Sequence, residues 1–315
     1  MERFDWEEGA AAGVARIIED TRQRAVEQLR AGKQPMKRVH DARKRFKEIR
    51  AALRLARTGL GKRFAGENEW FRNAGHSLTA VRDADAHVAM LEQLHDYAPD
   101  DPTHDAIARA QEVLTAERDR LDGEALDAHL ERLASAVAAH PRLTRWELGT
   151  QRFDTVGEGL ELAARKARRA YRRAAKTRTD ADFHTWRRRV KDIWYQLRFL
   201  EPVNPDALKQ RTGTLKELSR LLGDYHDLTT LRDAIPREPL LSALIGRRLA
   251  ELARTTLRLG AEVHAERPKQ LRARVQHDWE TWRAPAPRSG ISGSSPAETA
   301  RSGPTSAGSS TNGVR

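Results

Sequence analysis

Apolar residues recur at helical spacing along most of the chain, from about residue 10 to residue 283. The periodic runs are interrupted at Gly32 to Pro35, near Gly59 to Gly61, at Pro99 to Pro102, near Asp122 and Gly123, around His140 and Pro141, at Pro202 to Pro205 and at Pro236 to Pro239. These breaks predict roughly eight helices and an all-α fold. From residue 284 the sequence turns rich in Pro, Gly and Ser and contains no aromatic, so residues 284–315 are expected to form a disordered tail.

One stretch of the pattern occurs twice. The sixteen residues from His40 match the sixteen from His184 at seven positions, and at the same offset of 144 Arg82-Asp83 meets His226-Asp227. In both copies 43 residues separate the His from the Asp (83 − 40 and 227 − 184). Two basic helices that are alike by chance would not keep that interval. The expected architecture is therefore an internal duplication, with repeat one at about 10–139 and repeat two at about 153–283, folded as two pseudo-symmetric four-helix bundles.

Wound at 100° per residue, the first copy places Val39, Ala42, Phe46, Ile49 and Leu53 on one arc. The adjoining arc carries His40, Arg43, Lys44, Lys47, Arg50, Arg54 and Arg57. In the second copy Phe183, Trp186, Val190, Ile193 and Leu197 form the packing arc, beside His184, Arg187, Arg188, Lys191 and Arg198. A solvated face ordinarily interleaves acids with bases at i,i+4, because like charges at that spacing cost a few tenths of a kcal/mol per pair. Both copies carry that cost, which points to an anionic ligand. The helix before the second copy adds Arg165, Arg168, Arg169, Arg172 and Lys176 on one arc, whereas its first-repeat equivalent carries Glu19, Asp20 and Glu27. The positive field is expected to be stronger over the second half.

Composition agrees with a polyanion partner. The 57 Lys and Arg exceed the 45 Asp and Glu, for a net charge of +12 among 315 residues. With no cysteine, disulfides, thiolate metal sites and a Cys nucleophile are excluded, and a reducing cytoplasm is permitted. The acidic N-terminus does not read as an export signal, and no run approaches eighteen apolar residues, so no membrane partner is expected. No two histidines share i,i+3 or i,i+4 spacing, and glycine patterns for nucleotides or an activated serine are missing; no metal, no other cofactor and no catalytic residue are expected. His226 and Arg82 occupy equivalent positions, which reads as a demand for a cation. Asp83 and Asp227 read as orienting acids that hold an Arg or His in place.

These residues resemble the CHAD family, named for conserved histidines in an α-helical domain, whose pattern is a His opening a basic amphipathic helix. His40, Arg43, Lys47, Ile49 and Arg50 fit it; His184, Arg187, Lys191 and Ile193 fit it too, with Trp194 in place of the last Arg. The later motif of the family is similar to Arg82-Asp83 and His226-Asp227-Leu228. The resemblance spans about residues 10–283. It implies a basic central channel that binds inorganic polyphosphate, association with polyphosphate granules, and a binding module rather than an enzyme. No CYTH domain, the triphosphate-processing partner of some relatives, is expected in this chain. Nucleic-acid binding is the alternative, with Trp194 and Tyr195 as base-stacking candidates; phosphotransfer through His40 or His184 is a third reading.

Overall fold

The computed structural model describes residues 2–284 apart from 33, 145–147 and 236–237, so the expected tail, from residue 285 onward, lies outside the described residues. Among these residues there are twelve α-helices and no strand. The first seven are α1 (Ala10–Arg30), α2 (Pro35–Leu55), the single turn α3 (Arg57–Leu60), α4 (Arg63–His76), α5 (Thr79–Leu94), α6 (Asp101–Arg120) and α7 (Glu124–Ala139). The remaining five are α8 (Asp154–Thr177), α9 (Asp180–Phe199), α10 (Pro205–Ala234), α11 (Pro239–Val263) and α12 (Pro268–Trp282).

Local chemistry sets the boundaries. Proline, which lacks the N–H that a first turn leaves unused, stands in the first turn of α2, α6, α10, α11 and α12. Side chains cap several N-termini: Asp100 accepts from the Thr103 N–H at 2.9 Å, Asn204 from Ala207 at 3.3 Å and Glu238 from Leu241 at 2.7 Å. The expected eight helices become twelve because some breaks carry no Gly or Pro cluster. Between α8 and α9 the turn is made by Arg178 at φ 54°, a left-handed position held without glycine. Between α4 and α5 the chain bends at Ser77 and Leu78, where the equivalent stretch of α10 runs straight through Leu221 and Leu222. The second half thus contains five helices rather than four.

Helix starts recur at the sequence offset: α8 begins 144 residues after α1 (154 − 10) and α12 begins 144 after α7 (268 − 124). Packing recurs with them. α1 lies on α2 and α7 as α8 lies on α9 and α12, and α5 lies on α6 as α10 lies on α11. The two sets meet where α2 packs on α8 and α9, α5 on α10, and α6 on α11. All ten residues of the two expected packing arcs are buried, from Val39 to Leu53 and from Phe183 to Leu197. At about 25 cal/mol per Å² of apolar surface, such side chains each contribute roughly 1.5–3 kcal/mol relative to exposure. α8 crosses the end of α2 at backbone contact: a Cβ on Gly159 would sit 1.9 Å from the Leu55 carbonyl oxygen. That contact fixes the two helices whose basic faces matter below.

Candidate polyanion site

With their apolar arcs buried, α2 and α9 turn their basic arcs toward α5 and α10. Arg43, Lys47, Arg187 and Lys191 are half-buried there. His40 and Lys44 stay exposed at the entrance on α2, and Arg188 on α9. The two halves are joined by Arg82: its guanidinium donates to Asp83 at 3.0 Å and to both oxygens of Asp227 at 2.9 and 3.2 Å. Asp83 and Asp227 thus share one guanidinium, and the Asp227 pairing crosses from one half of the chain to the other. Arg43 donates to the Gly75 carbonyl at 2.5 Å and to Thr79 Oγ1 at 2.8 Å, while its Nε is buried without a partner. Arg187 Nε is buried and unpartnered as well. Leaving such donors unmade costs about 1–3 kcal/mol each, and more for charged groups.

Ionisation reflects the crowding of like charge. Burial drives the Lys47 ammonium down to about 7, helped by Arg187, Arg43 and Arg82. From an ordinary value of 10.5 this is roughly 5 kcal/mol of differential interaction with the charged form. Lys191 is pushed well below its ordinary value by burial, then by Arg187 and Lys47. Arg187 and Arg43 are lowered by burial first, with Arg82 adding to it. Against burial, Asp227 and Asp83 hold Arg82 above its usual value. Burial and the neighbouring Arg187 and His184 bring His226 to about 3; burial, Arg188 and Arg187 lower His184. Those two rings approach with Nδ1 to Nδ1 at 3.1 Å, an arrangement in which one ring donates and the other accepts. His40 is lowered by burial and by Lys47, Arg82 and Lys44.

A cleft of about 440 Å³ opens beside this cluster between α2 and α4, lined by Arg43, Lys47, Arg50, Arg72, Asn73 and His76 among others. Arg72, Asn73 and His76 are not among the site residues expected from sequence; Arg72 and His76 stand four residues apart on α4, a spacing that places both on one face. Arg50, lowered to about 10 chiefly by burial, donates to Asn68 at 3.3 Å.

The other expected site residues lie elsewhere. Arg54 is paired with Asp192 at 3.0 Å, and Arg198 approaches Glu201 at 3.8 Å and covers the Trp194 ring. Arg165, Arg169 and Arg172 are exposed on α8, which packs on α9, α12, α2 and α3 instead of facing α5 and α10. They do not join the central cluster. Of the two base-stacking candidates, Tyr195 is buried at 4% exposure, whereas Trp194 is only partly buried, packed on the core between Tyr195 and Arg198. Among the described residues no group of three or more His or carboxylates is placed to hold a metal, and no helix is long and apolar enough to cross a membrane.

A family model described as the CHAD domain matches residues 14–236, well over half of the chain, taking in α2, α5, α9 and α10 whole. No curated protein matches the chain.

Proposed function

The chain belongs to the CHAD domain family, and on that premise we propose that it binds inorganic polyphosphate in the trough formed by α2, α5, α9 and α10, as a binding module without catalytic turnover. The recurrence of helices and contacts at an offset of 144 supports reading the two halves, about residues 10–139 and 153–283, as a duplicated, pseudo-symmetric pair. In that reading each half contributes one basic helix to the shared trough.

The observation that carries the proposal is the cluster of Arg43, Lys47, Arg187 and Lys191, whose two facing acids, Asp83 and Asp227, are both occupied by Arg82. Positive charge is left uncompensated and partly desolvated, a state that an anion of high charge density stabilises. Half-buried cations suit a thin, flexible chain of phosphates. A duplex carries its phosphates on a broad cylinder whose backbone meets protruding side chains more readily than recessed ones. Burial of Tyr195 leaves the partly buried Trp194 as a single ring in place of the stacking pair that single-stranded nucleic acid would use. His184 lies against His226, and among the described residues no carboxylate is hydrogen-bonded to it, which favours binding over phosphotransfer. A cytoplasmic protein of this kind would be carried to polyphosphate granules by the same contacts.

Competition isotherms with polyphosphate, single-stranded RNA and duplex DNA at matched phosphate concentration and two salt levels test the reading. Polyphosphate is expected to bind tightest at both salt levels. Equal or tighter binding of either nucleic acid at the higher salt would overturn it.

A further inference from the structure

The α8 arginines stand away from the trough, yet the cations between the two places form a connected path, and that path exists on one side of the molecule only. It starts at Arg188, exposed on α9, whose charge depresses both Arg50 and Arg54 on α2. Asp192 then ties α2 to α9 by accepting from Arg54 at 3.0 Å and Arg189 at 3.3 Å. Next to these lies Lys166 of α8, lowered by burial and by Arg189 and Arg57. Lys166 stands two helical turns beyond Gly159, the residue in backbone contact with Leu55, so the same face of α8 that touches α2 presents this lysine to it. Beside that face, Arg165, Arg169, Arg172 and Lys176 fall within an arc of about 60°.

From Leu162 to Thr177 the helix contains no acid, and among the described residues no ion pair is found for Arg165, Arg169 or Arg172. The equivalent positions of the first half tell the opposite story. Lys166 corresponds to Arg22, which is paired with Glu19 at 2.6 Å, and Arg168 corresponds to Arg24, paired with Glu2 at 2.6 Å; Arg189 with Asp192 and Arg45 with Glu48 are ion pairs in both halves alike. Arg165, Arg169 and Arg172 correspond to Thr21, Ala25 and Gln28. In the first half two of the cations are neutralised by acids and three are absent. Simple solvation of a helix face would not open one path and close its twin.

We infer that the exposed face of α8 is a second anion-binding track, continuous with the trough through Arg188 and Lys166, onto which a long polyphosphate chain emerging from the trough is laid. The inference rests on the trough being the primary polyphosphate site and adds to it a direction of exit and a dependence on chain length. Short chains fill the trough alone. Long chains hold both places at once, and the second contact is made at the high effective concentration that tethering supplies.

The test compares tripolyphosphate with a chain of on the order of a hundred phosphates. In the full-length chain, Arg165→Glu, Arg169→Glu and Arg172→Glu together are expected to weaken long-chain binding by about tenfold or more and to flatten its salt slope by about two to three units. Tripolyphosphate affinity should stay within about twofold, the size expected of a change in the distant field. Replacing the three by Lys should keep long-chain affinity. Replacing them by Gln, which avoids new repulsions, should reproduce the loss in smaller degree if the Glu variant folds poorly. Long-chain affinity unchanged in both the Glu and Gln variants, or an equal loss for both probes, would overturn the track. Failure of the trough itself would look different: Arg187→Glu would leave both probes bound as before.

Discussion

The two halves agree at the centre and part company at the flanks. Arg43 and Arg187, Lys47 and Lys191, and Asp83 and Asp227 are identical pairs, and each pair meets across the contact of α2 and α5 with α9 and α10. One turn further on, Arg50 in the first half faces an open cleft, while Trp194 at the equivalent place is packed on the core under Arg198. Across that cleft Asn73 and His76 answer to Glu217 and Arg220, and Arg220 is held by Glu217 and Asp224, each at 2.7 Å. The duplicated residues supply what a symmetric anion site needs. The divergent ones leave a cleft at one flank and ion-paired side chains at the other, so the proposed site would be asymmetric.

The pH dependence of binding should be the largest measurable consequence of the shared centre. In the free protein Lys47 sits at about 7 against an ordinary 10.5, so above neutral pH it is largely uncharged. A bound polyanion favours the charged form and draws a proton in. Affinity is therefore expected to be highest below pH 7 and to fall above it, by up to about tenfold per pH unit for each lysine that must be recharged, with Lys191 adding in the same direction. The sign for stability follows from the same shift. Between pH 7 and 10.5 the unfolded chain binds more protons than the folded one, so the stability of the free protein should rise with pH through this window. Titration calorimetry in two buffers of different ionisation enthalpy reads the proton uptake; identical heats in both would contradict this account.

A smaller effect sharpens the comparison of the flanks. Trp194→Arg places a cation where the first half has Arg50 and should tighten polyphosphate binding by roughly threefold to tenfold, while Arg50→Trp should weaken it by a similar factor. Equal and negligible changes in both would mean that the flanks do not discriminate. A melting curve for each variant separates binding from packing, since Trp194 is in contact with the core.

How much of this was written in the sequence differs between fold and site. Helical periodicity located the packing arcs residue by residue, because a buried stripe must recur every three or four positions whatever it packs against. Helix ends without Gly or Pro were not legible: Arg178 takes a left-handed conformation, and the bend at Ser77 and Leu78 has a straight counterpart in α10. The duplicated cations and Asp83 and Asp227 were legible because the same residues occur twice. That Arg82 reaches Asp227, 145 residues away, was not, since an ion pair so distant in the chain leaves no local pattern. The α8 arc illustrates the limit most plainly. Its basic stripe was visible, and so was the acidity of α1, but periodicity defines a stripe without saying which way it points, and packing against α9 and α12 turned Arg165, Arg169 and Arg172 outward. Likewise, Trp194 and Tyr195 were recognisable as aromatics beside a basic arc, and only tertiary packing decided that Tyr195 is core.

The most direct measurement of the central claim is the affinity for polyphosphate after charge reversal at the matched pair Arg43 and Arg187, set against reversal of Arg118 and Arg120 on α6. The control pair changes net charge equally but lies at the far end of α6, with Arg118 at the surface beside Asp119 and Arg120 exposed. If the trough is the site, Arg43→Glu with Arg187→Glu should cost about a hundredfold or more and flatten the salt slope by about two units, while the control costs only a few-fold through the general field. Equal losses in the two double variants would contradict the account and leave the basic faces of α2 and α9 as solvated surface.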